Sequence, residues 1–420
     1  MIQQATDLQF DSELPELPAA FDLAAVSRLF QEQWPRTQAP AGVSPVTAHK
    51  LLDTKYEPHA SCVTTYDLEV VTQDGRAVST IGVLELRPLQ KVLRTLEQDP
   101  RLPWIAEAVD AEAMGQRFRS SLPDLMRSAG RAPQITVVRY KPGARCVLRY
   151  TFDDRSGTRV LFGKIIATDS GALAERIAAL QEEGSTVPDM PRIAGPVAYW
   201  PDLRMLVQRA VEGSELHDVA FDTNIDVAVR REWMEKAGRG LAGLHSATGA
   251  GAPVRDIRAD ADELDDYIAP MAQVNPELAR SYAAAVELLR ASERSDDSGF
   301  VASHGAFRTD QFMIQGDDLV MIDLDSFCSS HPERDIGNLL AYLTWKAMRQ
   351  PQHASFIKSA PKHFLHGYAA VRPSPDERRI TLYEAASLLK IAGRRFRSLT
   401  VREWPKVPPL ITGAHRKLAA

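Results

Sequence analysis

The stretch from Val301 to Leu343 constrains this chain more than any other, because it fixes the order of a polar loop, two short apolar runs and a series of carboxylates. His304-Gly305 opens the loop. Phe312-Met313-Ile314 follows as a first apolar run, Gly316-Asp317-Asp318 as a turn, and Leu319 to Ile322 as a second run that ends on Asp323. Apolar runs this short, divided by a Gly-Asp-Asp turn, read as two strands of a hairpin. An acid at the end of a buried strand, with no adjacent base, is placed to bind a cation. Asp325, two residues on, is expected to point the same way along an extended segment and to share that cation. Asp335 is expected to open a helix over Ile336 to Met348 as its N-cap while tying down the loop.

At 420 residues the chain exceeds one ordinary core and suggests two or three domains or lobes. Its 50 Lys and Arg against 55 Asp and Glu leave a formal charge of -5, without the basic surplus that nucleic-acid binding favours. Cys62, Cys146 and Cys328 are too far apart for a CxxC metal site or a disulfide framework, so a reducing cytoplasm is the expected compartment. The first residues carry acids where a signal peptide carries a basic segment, and no run approaches the roughly 20 apolar residues of a membrane span.

A helix-like segment, Pro18 to Phe30, precedes a linker-like Gln38-Ala39-Pro40-Ala41-Gly42. Two β-rich segments then resemble each other. Tyr56, Pro58, Ala60, Cys62, Val63 and Tyr66 recur at a constant spacing of 84 residues as Tyr140, Pro142, Ala144, Cys146, Val147 and Tyr150. This reads as a degenerate duplication of a small sheet unit, in which Leu89 to Leu96 echoes a helix at Leu173 to Leu180; two unrelated hairpins sharing turn chemistry remain the alternative. The second segment is a three-stranded meander: Ile135 to Tyr140, Cys146 to Phe152 and Val160 to Ile166. A helix from Ala172 to Glu183 follows, with Leu173, Ile177 and Leu180 on one face. After a strand at Arg204 to Arg209 the pattern turns helical: Ile225 to His245, Asp260 to Met271, Pro276 to Ser292, Ile336 to Met348, Ala354 to Ala370 and Ile380 to Phe396. The divisions expected are a helical and linker segment at 1–45, an extra β-containing unit at 46–130, a β-rich lobe at 131–210 and a helical lobe at 211–420.

Five features stand in the order that phosphoryl transfer between two lobes requires. The turn Lys141 to Arg145, with Gly143 at its centre, is placed to cover phosphates. Lys164 lies in the apolar strand Leu161 to Ile166, where an unpaired ammonium is costly, and Glu175 on the next helix can pair with it. Gln208 and Ala210, ahead of Glu212-Gly213, suit a hinge on which an adenine stacks. The fifth feature is the loop pair around His304 and Asp323, with His304 itself read as a brace of the loop.

These residues resemble the aminoglycoside phosphotransferase and choline kinase-like superfamily over roughly Ile135 to Phe396. The family motif is HGD, an Asn five residues later, IDxx, and an Asp that begins a helix. His304-Gly305, Ile322-Asp323 and Asp335-Ile336-Gly337-Asn338 match it, and Lys164 and Glu175 fall where its nucleotide-positioning pair belongs. The resemblance implies an α+β, two-lobed protein kinase-like fold with a β-rich N-lobe and a helical C-lobe, here with an additional N-terminal α/β extension. It also implies ATP or another nucleoside triphosphate, Mg2+, and a small-molecule hydroxyl as acceptor. Two positions depart: Ala306 stands for the catalytic Asp and Gln311 for the metal-binding Asn. An alanine cannot orient or deprotonate a hydroxyl, whereas glutamine keeps a carbonyl oxygen.

Two readings follow. In one, the chain is a phosphotransferase with a remodelled loop, in which Asp310, Asp325 or the substrate takes over positioning; the catalytic candidates are then Asp323, Asp310, His304 and Arg308, with Asp323, Gln311 and Asp325 on the metal and Lys164, Glu175, Gly143, Arg145, Gln208 and Ala210 on the nucleotide. In the other, it is a pseudokinase that binds nucleotide and serves as a partner-binding or regulatory module. The acidic run Asp262, Glu263, Asp265 and Asp266 invites a cationic acceptor and the basic run Arg394 to Arg397 an anionic one, so the acceptor stays open. The extra unit has Val83 in the place nearest to a counterpart of Lys164, so no second nucleotide is expected there; homodimerisation and substrate gating are its candidate uses.

Overall fold

The computed structural model describes residues 11–37, 46–71, 77–127, 129–130, 132–154, 157–168, 170–249, 251–292, 299–399 and 403–419. The linker expected at Gln38 to Gly42 lies outside them. The chain divides into two compact units, one of residues 1–170, 198–207 and 394–405, the other of residues 171–197, 208–393 and 406–420.

The first unit holds helix α1 (Leu23–Thr37), an antiparallel sheet of β1 (Val46–Glu57), β2 (Ser61–Val71), β3 (Ala77–Arg87) and β4 (Gln90–Thr95), helix α2 (Ala111–Ser121), and the meander β5 (Gln134–Lys141), β6 (Arg145–Asp154) and β7 (Gly157–Ile166). In a second sheet, of order β5-β6-β7-β10-β9, the meander is joined by β9 (Pro196–Trp200) and β10 (Met205–Arg209). The strands of the meander fall where the sequence places them, because β-branched and aromatic residues alternate between turns.

The resemblance between the two hairpins extends to their contacts. Tyr56 faces Cys62 across β1 and β2, as Tyr140 faces Cys146 across β5 and β6. The Tyr56 hydroxyl and the His59 amide both donate to Asp11, each at 2.8 Å; the Tyr140 hydroxyl and the Gly143 amide donate to Asp99 at 2.7 and 2.6 Å. His59 and Gly143 both have positive φ, 59° and 69°. The Tyr66 hydroxyl donates to Ala20 O at 2.6 Å and the Tyr150 hydroxyl to Ala108 O at 2.8 Å. Phe30 meets Tyr66 edge to face, as Phe118 meets Tyr150. Upstream of each hairpin the spacing is 88 rather than 84: Leu14, Leu17, Ala20, Val26 and Phe30 are buried, and so are Leu102, Ile105, Ala108, Met114 and Phe118.

The counterpart of Lys164 is corrected by the ladders. Lys164 pairs with Val147, and Val63, the equivalent of Val147, pairs with Glu85 rather than Val83. Glu85 contacts Arg94 at 2.9 Å and Arg87 at 2.6 Å, and these guanidiniums overcome its burial and hold its carboxyl below the usual value. The charge at the lysine position is therefore reversed in the first copy.

The second unit begins with helix α3 (Gly171–Glu183) and contains a sheet of order β11-β13-β14-β8, formed by β8 (Arg192–Ile193), β11 (Ser214–Glu215), β13 (Phe312–Gln315) and β14 (Asp318–Met321). A ribbon of β12 (Val301–Ser303) and β15 (Cys328–Ser330) flanks the loop pair. The main helices are α4 (Leu216–Phe221), α5 (Val227–Leu244), α6 (Ile257–Asp265), α7 (Ile268–Val274), α8 (Pro276–Ser292), α9 (Glu333–Arg349), α10 (Ala354–Ala369), α11 (Glu377–Arg397) and α12 (Val407–Leu418). Helices α5 and α10 approach so closely that a Cβ on Gly238 would stand 2.0 Å from Phe364 O, and one on Gly367 2.0 Å from Glu235 O. Glycine is required at both contacts because the neighbouring atoms are backbone and cannot give way.

Candidate active site

Helix α9 begins three residues earlier than the sequence pattern implies, at Glu333, with Pro332 in the cap position. Asp335 is therefore not an N-cap but sits inside the first turn, fully buried. Its carboxylate accepts from the His304 amide at 2.7 Å and the Gly305 amide at 2.8 Å, and lies 3.3 Å from His245 Nε2. Burial works against its charge, but the hydrogen bond and field of His245 prevail and hold the carboxyl below the ordinary range. His245 Nδ1 is fixed in turn by the Tyr368 hydroxyl at 2.8 Å.

Three further contacts immobilise the loop. His304 is fully buried, with Nε2 3.0 Å from the Ile322 carbonyl, so this nitrogen carries the proton and donates it. The Arg334 guanidinium donates to Gly305 O at 2.5 Å and grips Asp260 through two bonds of 2.9 Å. Asn338 donates to Phe307 O at 2.7 Å. Gly305 has φ 82°, and a Cβ there would lie 1.9 Å from Ser326 O, so the HG pair is set by this close approach as well as by the turn. His304 is thus a positioning residue, corrected from the catalytic candidates because it is sealed from any substrate.

The acid of the second loop is Asp323. It follows β14 in the left-handed conformation, φ 61° and ψ 44°, and is only partly buried. A non-glycine residue held there is strained, and such strain concentrates where a side chain must be aimed. Ile322 donates to Gln311 O at 2.9 Å, so the two loops are stitched together beside it. The chain then coils into a 3-10 turn, Leu324–Ser326, so the extended geometry expected to aim Asp325 beside Asp323 is absent.

Gln311 is also corrected as a metal ligand. Its Oε1 accepts the Arg308 amide at 2.7 Å, and the residue is 3% exposed, so its carbonyl closes the turn Thr309–Gln311. Among the described residues no three His, Cys, Asp or Glu side chains form a metal cage. Mg2+ in phosphoryl-transfer sites needs only one or two carboxylates, with phosphates and water completing its shell. Asp323 fits that requirement; Gln311 and Asp325 do not.

Arg308 and Asp310 form an ion pair at 2.9 Å, both partly exposed, and the guanidinium lies 5.6 Å from the Tyr342 ring. Burial disfavours the Arg308 charge, but Asp310, Tyr342 and Asp323 hold it cationic. Beside this pair an open cleft of about 520 Å³ is lined by Ser214, Glu215, Asp218, Asp222 and Met313. Burial, then Asp218 and Asp310, push the Glu215 carboxyl up.

In the first unit the Gly143 amide is taken by Asp99 and the Ala144 amide by Lys141 O at 3.0 Å. Each N–H carries one proton, so neither is free for a phosphate, and Gly143 is corrected as a cofactor contact. The turn is nevertheless cationic: burial, then Arg139 and Arg145, lower the Lys141 ammonium. Lys164 stands on the half-exposed face of β7, and Glu175 on the exposed face of α3. Gln208 is buried and donates to Ala194 O at 2.6 Å; Ala210 follows the strand. The acidic run at 262–265 is consumed by cations: Asp262 and Asp265 contact Arg290, and Glu263 contacts Arg255 and Lys390. Sequence reasoning missed Arg334, Asp260 and His245, whose partners are distant along the chain.

Residues 169–374 match the family model of a phosphotransferase enzyme family. Among solved structures, a choline kinase from Cryptosporidium parvum Iowa II is similar at 10% identity, over 73% of this chain and 94% of that one, with a TM-score of 0.50. An amicoumacin kinase solved in complex with AMP-PNP, Ca2+ and Ami has 15% identity over 71% of this chain and 93% of that one, with a TM-score of 0.49. A choline/ethanolamine kinase family protein from Mesorhizobium loti has 14% identity over 73% and 97%, with a TM-score of 0.47. No curated protein matches the chain. The resemblance to phosphotransferases and the kinase-like α+β fold expected from the sequence are both borne out. No helix among the described residues is long and apolar enough to cross a membrane.

Proposed function

We propose that the chain is an ATP-dependent phosphotransferase acting on a hydroxyl of a small molecule through a remodelled loop. The observation that carries this reading is Asp323, strained and partly exposed at the end of β14 and stitched to the His304 loop. Asp323 would hold Mg2+, which when bound neutralises phosphate charge. Lys164 and Arg145 in the first unit are the nucleotide-phosphate candidates, with Glu175, Gln208 and Ala210 as further nucleotide candidates.

In the reaction proposed, the acceptor oxygen bonds to the γ-phosphorus, the bond to the bridging oxygen breaks, and ADP leaves. Arg308 faces the charge of the phosphoryl group, and Asp310, held by Arg308, orients the hydroxyl. Its proton passes to a phosphoryl oxygen as the transfer completes, which a loose transition state permits without the carboxylate that Ala306 lacks. The three free cysteines are buried, with thiols pushed up by burial to about 12 at Cys62 and Cys146 and about 11 at Cys328, which suits packing rather than reactivity in a cytoplasmic setting.

Thermal unfolding with and without Mg2+ and ATP tests the reading. The parent is expected to be stabilised by the pair and Asp323→Ala not to be; a parent without a shift overturns nucleotide binding. ADP release across a panel of hydroxylated acceptors then separates transfer from binding alone. Binding without release favours the pseudokinase reading, to which Ala306 and the engaged Gln311 carbonyl point.

A further inference from the structure

Beside the loop lies a hydrogen-bonded chain that the proposed reaction does not use. Lys346, on α9, is 7% exposed, and its ammonium contacts His217 Nε2 on α4 and stands 4.6 Å from the Phe221 ring. Among the described residues no carboxylate reaches salt-bridge distance of it. The other ring nitrogen, Nδ1, lies 3.1 Å from Thr309 Oγ1, in the turn Thr309–Gln311, and 3.0 Å from the Tyr342 hydroxyl. Thr309 is 1% exposed, between Arg308 and Asp310.

The donor inventory orders this chain. An ammonium has only protons to give, so with Lys346 charged Nε2 must accept. A neutral imidazole then carries its proton on Nδ1 and donates it toward Thr309 or Tyr342. With Lys346 neutral, Nε2–H can donate to the amine instead, and Nδ1 accepts from a hydroxyl. The direction of every bond reverses.

We infer that Lys346 and His217 are positioning residues for the catalytic-type loop, in which the lysine charge fixes the His217 tautomer and thereby the direction of the Thr309 and Tyr342 hydroxyls beside Arg308 and Asp310. The groups facing the pair are Asp218 on α4, Arg308 and Asp310 on the loop, and Tyr342 and Arg349 on α9. Burial lowers Lys346 to about 8, against the opposing fields of Asp218 and Asp310, and burial followed by the Lys346 charge lowers His217. Near neutral pH the histidine is therefore neutral while the lysine is charged. Because Thr309 follows Arg308 and precedes Asp310, its hydroxyl direction bears on the two loop residues left to act in the absence of a carboxylate at 306.

The test is 15N NMR of the full chain with labelled histidine, read from about pH 6 to about pH 10. His217, assigned by its loss in His217→Gln, is expected as the Nδ1–H tautomer below the Lys346 titration and to lose that signature above it. Lys346→Met should abolish the tautomer preference at neutral pH and Lys346→Arg restore it. A His217 signal unchanged across the series in the parent, or unchanged by Lys346→Met, overturns the inference; the parent titration requires no Lys346 variant to fold. The kinetic arm rests on the phosphotransferase reading: Lys346→Met should lower kcat for ADP release at least tenfold while leaving the Mg2+ and ATP thermal shift and KM for ATP intact. Loss of the thermal shift in the parent would sink the enzyme reading and leave the tautomer result standing.

Discussion

Asp335 and Arg334 are neighbours in sequence that hold opposite sides of one loop, the carboxylate through two amides and the guanidinium through Gly305 O. Removing one partner of such a buried charged contact costs more than the contact contributes, because the other is left without its bond. Asp335→Asn is therefore expected to lower stability by roughly 2 to 3 kcal/mol in urea unfolding at neutral pH. The acid dependence has a definite sign. The folded-state pKa of Asp335 is depressed, so its contribution is complete above the ordinary carboxylate value and is lost as pH falls through the folded one. Asp260 behaves alike: burial opposes its charge and Arg334 overcomes it. Asp335→Asn should accordingly flatten the loss of stability below about pH 4, and an unchanged acid slope would contradict the assignment. At this scale the sequence showed which residues matter but not what they touch. Asp335 was legible as a helix-start acid near the loop, whereas Asp260, 74 residues before Arg334, had no local signal.

The two copies of the Asp, Tyr and positive-φ turn device differ in how much of them the sequence exposes. Their hairpins align at one spacing because the tyrosines, the cysteine and the proline and alanine of the turn are identical. Their helical halves align at a spacing of 88 instead, because the path from Asp11 to Tyr56 is longer than that from Asp99 to Tyr140, and two of the five core pairs keep only apolar character, Leu17 with Ile105 and Val26 with Met114. Shape is kept where identity is lost, since a core accepts volume-conserving exchange. We propose that the first copy is a duplicated sheet unit without a nucleotide role. Tyr56→Phe and Tyr140→Phe each remove one hydroxyl from a buried aspartate and should cost about 1 kcal/mol by urea unfolding. Tyr56→Phe and Glu85→Gln should leave ATP binding by titration calorimetry unaltered, and a weakening by Glu85→Gln would show that the reversed charge serves the nucleotide after all.

For the molecule as a whole, Lys164 and Arg145 belong to the first unit and Asp323 to the second. Sequence order placed each of them on the correct element, because strand and loop patterns are local; it left open the metal set, because the turns at 309–311 and 324–326 re-aim Gln311 and Asp325 through hydrogen bonds and dihedrals that composition does not encode. Ligand that binds only the folded state stabilises it by about 2.7 kcal/mol at a hundredfold excess over Kd, which for units of this size raises Tm by roughly 5 to 10 °C. Lys164→Met and Asp323→Ala should each cancel most of that rise, although they lie in different units, while Tyr56→Phe lowers the starting Tm and keeps the rise. If Lys164→Met retained the full shift and Asp323→Ala lost it, the ligand would be held by the second unit alone, and the cationic turn and lysine of β7 would have to be released from the nucleotide.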